Sequence, residues 1–144
     1  IVLPTDLFRY NTLVTAMDLL FYNSNQSSVP TDIFKYNTLV TTFRGTFWNA
    51  DLTSIPTDLF RYNTLAVNFD QTFRECNFAT IPSGLLSYNT NATNLDQMFF
   101  GIEEITSDVP DYWNTHLLAT HNETFEGRTN ASNYASIPND WKGL

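Results

Sequence analysis

Tyr22, Trp48, Arg74 and Phe100 stand 26 residues apart, and their types are those enriched among residues that dominate binding at protein interfaces. Each directly follows a phenylalanine: Phe21, Phe47, Phe73 and Phe99. Adjacent residues on a turn cannot both face a core, so an inward phenylalanine column sends the second column outward or sideways. Two uses of that column stay open, contact with a partner and packing against a neighbouring coil. The chemistry expected is noncovalent. The chain has no nucleophile elbow, no phosphate-cradling glycine loop and no cysteine pair, and its carboxylates recur by repeat instead of converging. It is read as noncatalytic, with no cofactor and no metal.

The other reactive types are weaker candidates. His116 and His121 are the two histidines, and a spacing of five does not put two imidazoles on one helix face as an i, i+4 metal pair requires. Asp6, Asp32 and Asp58 recur after a proline, where Thr or Asp can accept from free amides and start a helical turn. A column of carboxylates could instead hold a hard cation, which needs several oxygens converging on one point. Against that, Arg9, Lys35 and Arg61 follow three residues later, and the fourth copy loses both partners together, to Gly84 and Ser87. Joint loss is what an (i, i+3) charge pair would show. Cys76 has no activating neighbour in sequence and reads as turn filler. Sequons at Asn25, Asn91, Asn122 and Asn130 are about as many as chance gives in a chain this rich in Asn, Ser and Thr, and identify no compartment.

What must position the recurring residues is a repeat. Pro4, Pro30, Pro56, Pro82, Pro110 and Pro138 are spaced 26, 26, 26, 28 and 28 residues apart, a period that marks stacked units. The repeats are read as 3–28, 29–54, 55–80, 81–108 and 109–136, with a partial copy at 137–144, in one domain spanning 1–144. The β-prone approaches DLTSIP (51–56), NFATIP (77–82) and NYASIP (133–138) read as one strand per coil, ending at the proline. Side by side they would form a parallel sheet with neighbours about 4.8 Å apart. Tyr-Asn-Thr at 10–12, 36–38, 62–64 and 88–90 reads as a corner, because Asn tolerates left-handed backbone, with stacked Asn and Tyr ladders. Leu13, Leu39 and Leu65 lead to Met17, Phe43, Phe69 and Leu95, and four residues on to Phe21, Phe47, Phe73, Phe99 and Phe125. That spacing predicts one inward face of a short helical segment.

Composition narrows the partners. A net charge of −8 and a sequence pI near 4.4 disfavour nucleic acid and anionic membranes, whose phosphates need a basic surface. A single cysteine excludes an internal disulfide, so packing and backbone bonds must hold the fold. No run of about eighteen apolar residues offers a membrane span. Ile1 falls inside a repeat, so the sequence is read as a fragment, with further chain or another subunit covering at least one end.

The segment LTSIPTDLF, with NTLVTTFRGTFWNA before it, resembles BspA-type leucine-rich repeat surface proteins. The resemblance covers residues 3–108 well and weakens over 109–136. It implies an α/β repeat: a right-handed leucine-rich-repeat-like (LRR-like) solenoid, with one short parallel strand plus short helical turns per repeat. It also implies an extracellular, adhesive or assembly role on a cell surface or virion, in a phage fibre or decoration protein. The partner expected is a protein or neighbouring subunit, with a host-surface glycan or a purely structural spacer role as the alternatives.

Overall fold

The computed structural model describes residues 2–127 and 130–144, so Ile1 and two residues of the fifth repeat lie outside the described residues. Its regular elements are short: helix α1 (Tyr112–Thr115) and 3-10 turns at Tyr134–Ser136 and Asn139–Lys142. The expectation of an α/β repeat, an LRR-like solenoid of strands and helical turns, is therefore corrected. Among the described residues no strand and no sheet forms. Parallel pairing is confined to isolated bridges that join Ala16, Thr42, Asn68, Asn94 and Thr120 in sequence. The segments ending at Pro30, Pro56, Pro82, Pro110 and Pro138 are not strands; their contacts to the coil before are scattered bonds such as Asp51 N to Ser24 O (3.0 Å) and Asn77 N to Leu52 O (3.3 Å).

Turns on both sides of each bridge explain why extension stops there. Before it, Val40 N closes on Asn37 O at 3.2 Å. After it come two turns in tandem, Phe43 to Thr46 and Phe47 to Ala50, closed by bonds of 3.1 and 3.0 Å. Their third residues, Gly45 and Asn49, are left-handed, with φ of 58° and 53°. The same pair recurs at Leu19 and Asn23, Gln71 and Glu75, Gln97 and Gly101, and Glu123 and Gly127. Tandem four-residue turns share the period of an i, i+4 helical face. Phe43 and Phe47 thus both point inward as expected, on a backbone that is not helical.

Because handedness alternates, every second amide points out of the coil toward the next. Phe43, Gly45, Phe47 and Asn49 donate to Asn68, Asp70, Thr72 and Arg74 oxygens at 2.9, 2.8, 2.9 and 2.7 Å. Backbone polar groups are thereby satisfied between coils without a sheet.

The core is a set of columns parallel to the stack. Phe21, Phe47, Phe73, Phe99 and Phe125 stack with ring centroids 5.3, 5.4, 5.8 and 5.7 Å apart and planes within 4°. Phe8, Phe34 and Phe60 form a second column at 6.1 and 6.2 Å, continued in register by Leu86 and Tyr112. The corner asparagines are not left-handed. Asn63, wholly buried, donates Nδ2 to Phe34 O (3.2 Å) and Asn37 O (2.9 Å) of the coil before, and Asn37 and Asn89 do the same. One end of the stack is covered, since Trp141 packs on Phe125 at 6.1 Å and its carbonyl accepts from Phe125 N at 2.9 Å.

Candidate functional site: an aromatic and arginine ridge

In the second of each pair of turns the first residue, a phenylalanine, faces inward and the next faces away from it. This places Tyr22, Trp48, Arg74 and Phe100 in one continuous strip. Tyr22 and Trp48 meet edge-to-face at 5.2 Å. The Arg74 guanidinium carbon lies 5.1 Å from the Trp48 ring and 4.3 Å from that of Phe100. Tyr22 is half exposed, and Trp48, Arg74 and Phe100 are partly buried. The sequence reading left partner contact and packing between coils as alternatives; the geometry contains the packing, with surface remaining on each member.

The strip is locked by polar groups that sequence reasoning did not find. Trp48 Nε1 donates to Glu75 Oε2, and Arg74 Nε donates to Glu75 Oε1, both at 3.1 Å. Arg74 Nη1 donates to Gln97 Oε1, which also accepts from Gln71 Nε2 at 2.9 Å. Gln97 Nε2 then donates to Glu123 Oε2 at 2.6 Å. Gln71, Gln97 and Glu123 occupy the first left-handed position of their coils and Glu75 the second, so the backbone sets them beside the ridge. A cation held over aromatic faces contributes about 0.5–2 kcal/mol, more as water is excluded.

The remaining candidates separate. Asp58 and Arg61 pair at 3.8 Å, whereas Arg9, Lys35 and Arg61 all lie over the tyrosine that follows, Tyr10, Tyr36 and Tyr62, at 5.4, 5.2 and 4.9 Å. The turn expected to be capped by Asp32 closes through backbone, with Lys35 N on Asp32 O at 3.1 Å. Among the described residues no three His, Cys, Asp or Glu side chains converge as a cation site. Cys76 is buried with Sγ 3.0 Å from Phe47 O, and burial pushes its thiol up to about 12. Leu13, Leu39, Leu65 and Leu117, placed by sequence at the approach to the core or left unassigned, are exposed, Leu13 by 81% and Leu117 by 77%.

The two histidines go to different partners. His121 stacks on Trp141 at 4.3 Å and places Nε2 2.9 Å from Asp140 Oδ2. His116 takes the place of the ladder asparagine, with Nε2 3.3 Å from Asn89 O. Burial holds His116 below the ordinary imidazole value of 6.5, against the opposing pull of that bond. The unfolded chain therefore takes up the proton first as pH falls. The His116 contribution is whole above about pH 6.5 and declines below it. Urea unfolding at pH 7.5 and 5.5 should show His116→Asn, which restores the ladder residue, losing less stability on acidification than the parent. Equal losses would refute this role.

No family model matches the chain, and no curated protein matches it. Among solved structures, it is similar to a chain of the Toll–Spatzle complex, a molecular hub in Drosophila development and innate immunity. That likeness has 19% identity and a TM-score of 0.30, over 76% of this chain and 22% of the other, so this chain spans about a fifth of its length. A likeness of that score carries no argument about fold or partner. No helix among the described residues is long and apolar enough to cross a membrane.

Proposed function

We propose that this chain is a noncatalytic module for protein binding or assembly, which meets its partner or neighbouring subunit along Tyr22, Trp48, Arg74 and Phe100. The observation that carries the reading is the ridge itself. Four different side chains at equivalent places form one connected, partly exposed strip. Recognition of an irregular partner needs such variation, whereas architecture needs the same residue in every coil. Stacking and the Glu75 bonds hold the strip in one conformation, which lowers the ordering cost of docking. The resemblance of residues 3–108 to BspA-type surface proteins supports placing the module outside the cell, on a cell surface or virion.

A second reading, a structural spacer, is favoured by one observation: Trp48 Nε1 and both faces of Arg74 are already engaged within the chain. Trp48→Ala distinguishes the two. In an adhesion or assembly assay, with folding checked by urea unfolding, the binding role predicts at least about thirtyfold weaker association, corresponding to 2 kcal/mol or more for a hot-spot tryptophan. A folded variant that binds as well as the parent rejects the ridge and leaves the spacer reading. Glycan arrays run beside protein pull-downs separate a carbohydrate partner from a protein one.

A further inference from the structure

The fourth and fifth coils depart from the repeat at several positions around one cavity of about 290 Å³. Gly84 stands where three earlier coils have Asp, Leu86 where they have Phe, and Ser87 where they have Arg or Lys. Opposite them, α1 replaces the plain turn of earlier coils, and the chain between proline and bridge is two residues shorter. These changes remove one ring and a charged pair from a single place, and the cavity lies against the residues that remain. It is independent of the ridge.

The lining has two characters. Ser83, Ser87 and Thr90 bring three hydroxyls, each able to donate and to accept, and a fourth, Thr115 Oγ1, is already bonded to Asp111 O at 3.4 Å and lies 3.0 Å from His116 Nδ1. Leu86, Pro110 and the ring of Tyr112 form an apolar wall. Asp111 is the one carboxylate, and no Lys or Arg lines the cavity among the described residues, which disfavours phosphate, sulfate or carboxylate ligands. His116 is engaged with Asn89 O and Thr115 Oγ1, and the Tyr112 hydroxyl is buried without a hydrogen-bond partner among the described residues. A neutral ring with hydroxyls around its rim and C–H groups on its faces matches both characters, and a carboxylate accepts from two adjacent hydroxyls. The volume lies near the lower end of ligand pockets, roughly 300–1,000 Å³, which suits one such ring. A second hollow of about 450 Å³ shares Thr90, Thr115 and His116, and gives a linked ring somewhere to continue.

We infer that this cavity is a binding site for a neutral pyranose-sized polyol, free or as the terminal ring of a glycan. The test is an amide NMR titration of the whole chain with neutral monosaccharides and disaccharides. Sugar phosphates and methylammonium serve as controls, and a glycan array separates the free from the linked source. Shifts should cluster at Ser83, Ser87, Thr90 and Thr115, with dissociation constants on the order of 1 mM for a single ring of about twelve heavy atoms. Sugar phosphates should leave those amides unmoved.

The Gly84→Asp/Ser87→Arg double variant writes back the residues of the earlier coils. Gly84 has ordinary backbone there, and an added Cβ would meet the end of Thr57 at 3.1 Å, so a small shift of that side chain accommodates it. The variant should weaken sugar binding by at least about tenfold while keeping its urea midpoint. Ser87→Arg alone, at an exposed position, is the second variant if the pair fails to fold. Trp48→Ala should bind sugar as the parent does. No shifts up to about 50 mM sugar, retention of binding by folded Ser87→Arg, or shifts with methylammonium in place of sugar would each overturn the assignment.

Discussion

Phe73→Ala should lower stability by about 3–5 kcal/mol, the usual range for truncating a wholly buried aromatic side chain. Phe73 has no exposed surface and touches rings on every side: Phe47 at 5.4 Å, Phe99 at 5.8 Å, Phe60 at 6.1 Å and Phe78 at 5.8 Å. Its position in the middle of the column adds a second effect. In a stack where each coil contacts only its neighbours, stability is a sum of interface terms, so a gap at the third coil weakens two interfaces at once. Urea unfolding should therefore move to a lower midpoint and broaden. Phe21→Ala, in the first coil, should cost less. A loss below about 1 kcal/mol for Phe73→Ala would mean that the column does not hold the coils together.

Asn63→Asp should be at least as damaging. Asn63 Nδ2 reaches two carbonyls of the coil before, and its own Oδ1 has no partner, so the side chain acts here as a donor alone. Aspartate turns that donor into a buried negative charge against two oxygens, an uncompensated ion whose cost is about 3–5 kcal/mol. Asn63→Ala removes the two bonds without adding charge. Phe34 O and Asn37 O keep their backbone donors, Asn37 N at 3.0 Å and Val40 N at 3.2 Å, so alanine should cost only about 2–3 kcal/mol. The Asp variant should also recover at low pH. Its buried carboxyl has a raised folded-state pKa, so protonation stabilises the folded form and restores one donor. Unfolding measured at pH 7 and 4.5 should narrow the gap between the two variants, and a gap independent of pH would refute the donor-only role.

The sequence exposed the period and the inward columns, because each rests on side-chain type recurring at fixed intervals. Phe47 and Phe73 were placed inside on that basis, and they are inside. Backbone conformation was less legible. The spacing from Phe43 to Phe47 fits a helical face and a pair of four-residue turns equally well, since both bring every fourth side chain to one side. Left-handed backbone would have told them apart. It is marked by Gly or Asn at Asn23, Gly45, Asn49, Gly101 and Gly127, but hidden under Leu19, Gln71, Glu75, Gln97 and Glu123, types that rarely adopt it. The strand was misplaced for a related reason. DLTSIP and LVTTF are equally β-prone, and neighbouring turns leave only a single bridged residue in the second.

The candidate ridge was legible from one fact, that a bulky residue following an inward phenylalanine must go elsewhere. Its polar lock was not, because Glu75 and Gln97 reach it from left-handed positions that their types do not announce. Around the cavity, Gly84 and Ser87 were visible as a charge pair lost together. Seeing the space they vacate required α1 to be set against them.

The bonds that join one coil to the next also determine how the molecule answers to force. A load pulling the two ends apart along the stack meets the coils in series. It strains the few amide bonds of the outermost layer before those of the next, so layers peel one at a time and do not shear together. Each layer releases 26 residues, about 90 Å of extended chain, while the rest stays wound. Mechanically, such a protein is a ratcheted tether that yields in steps, not a rigid strut.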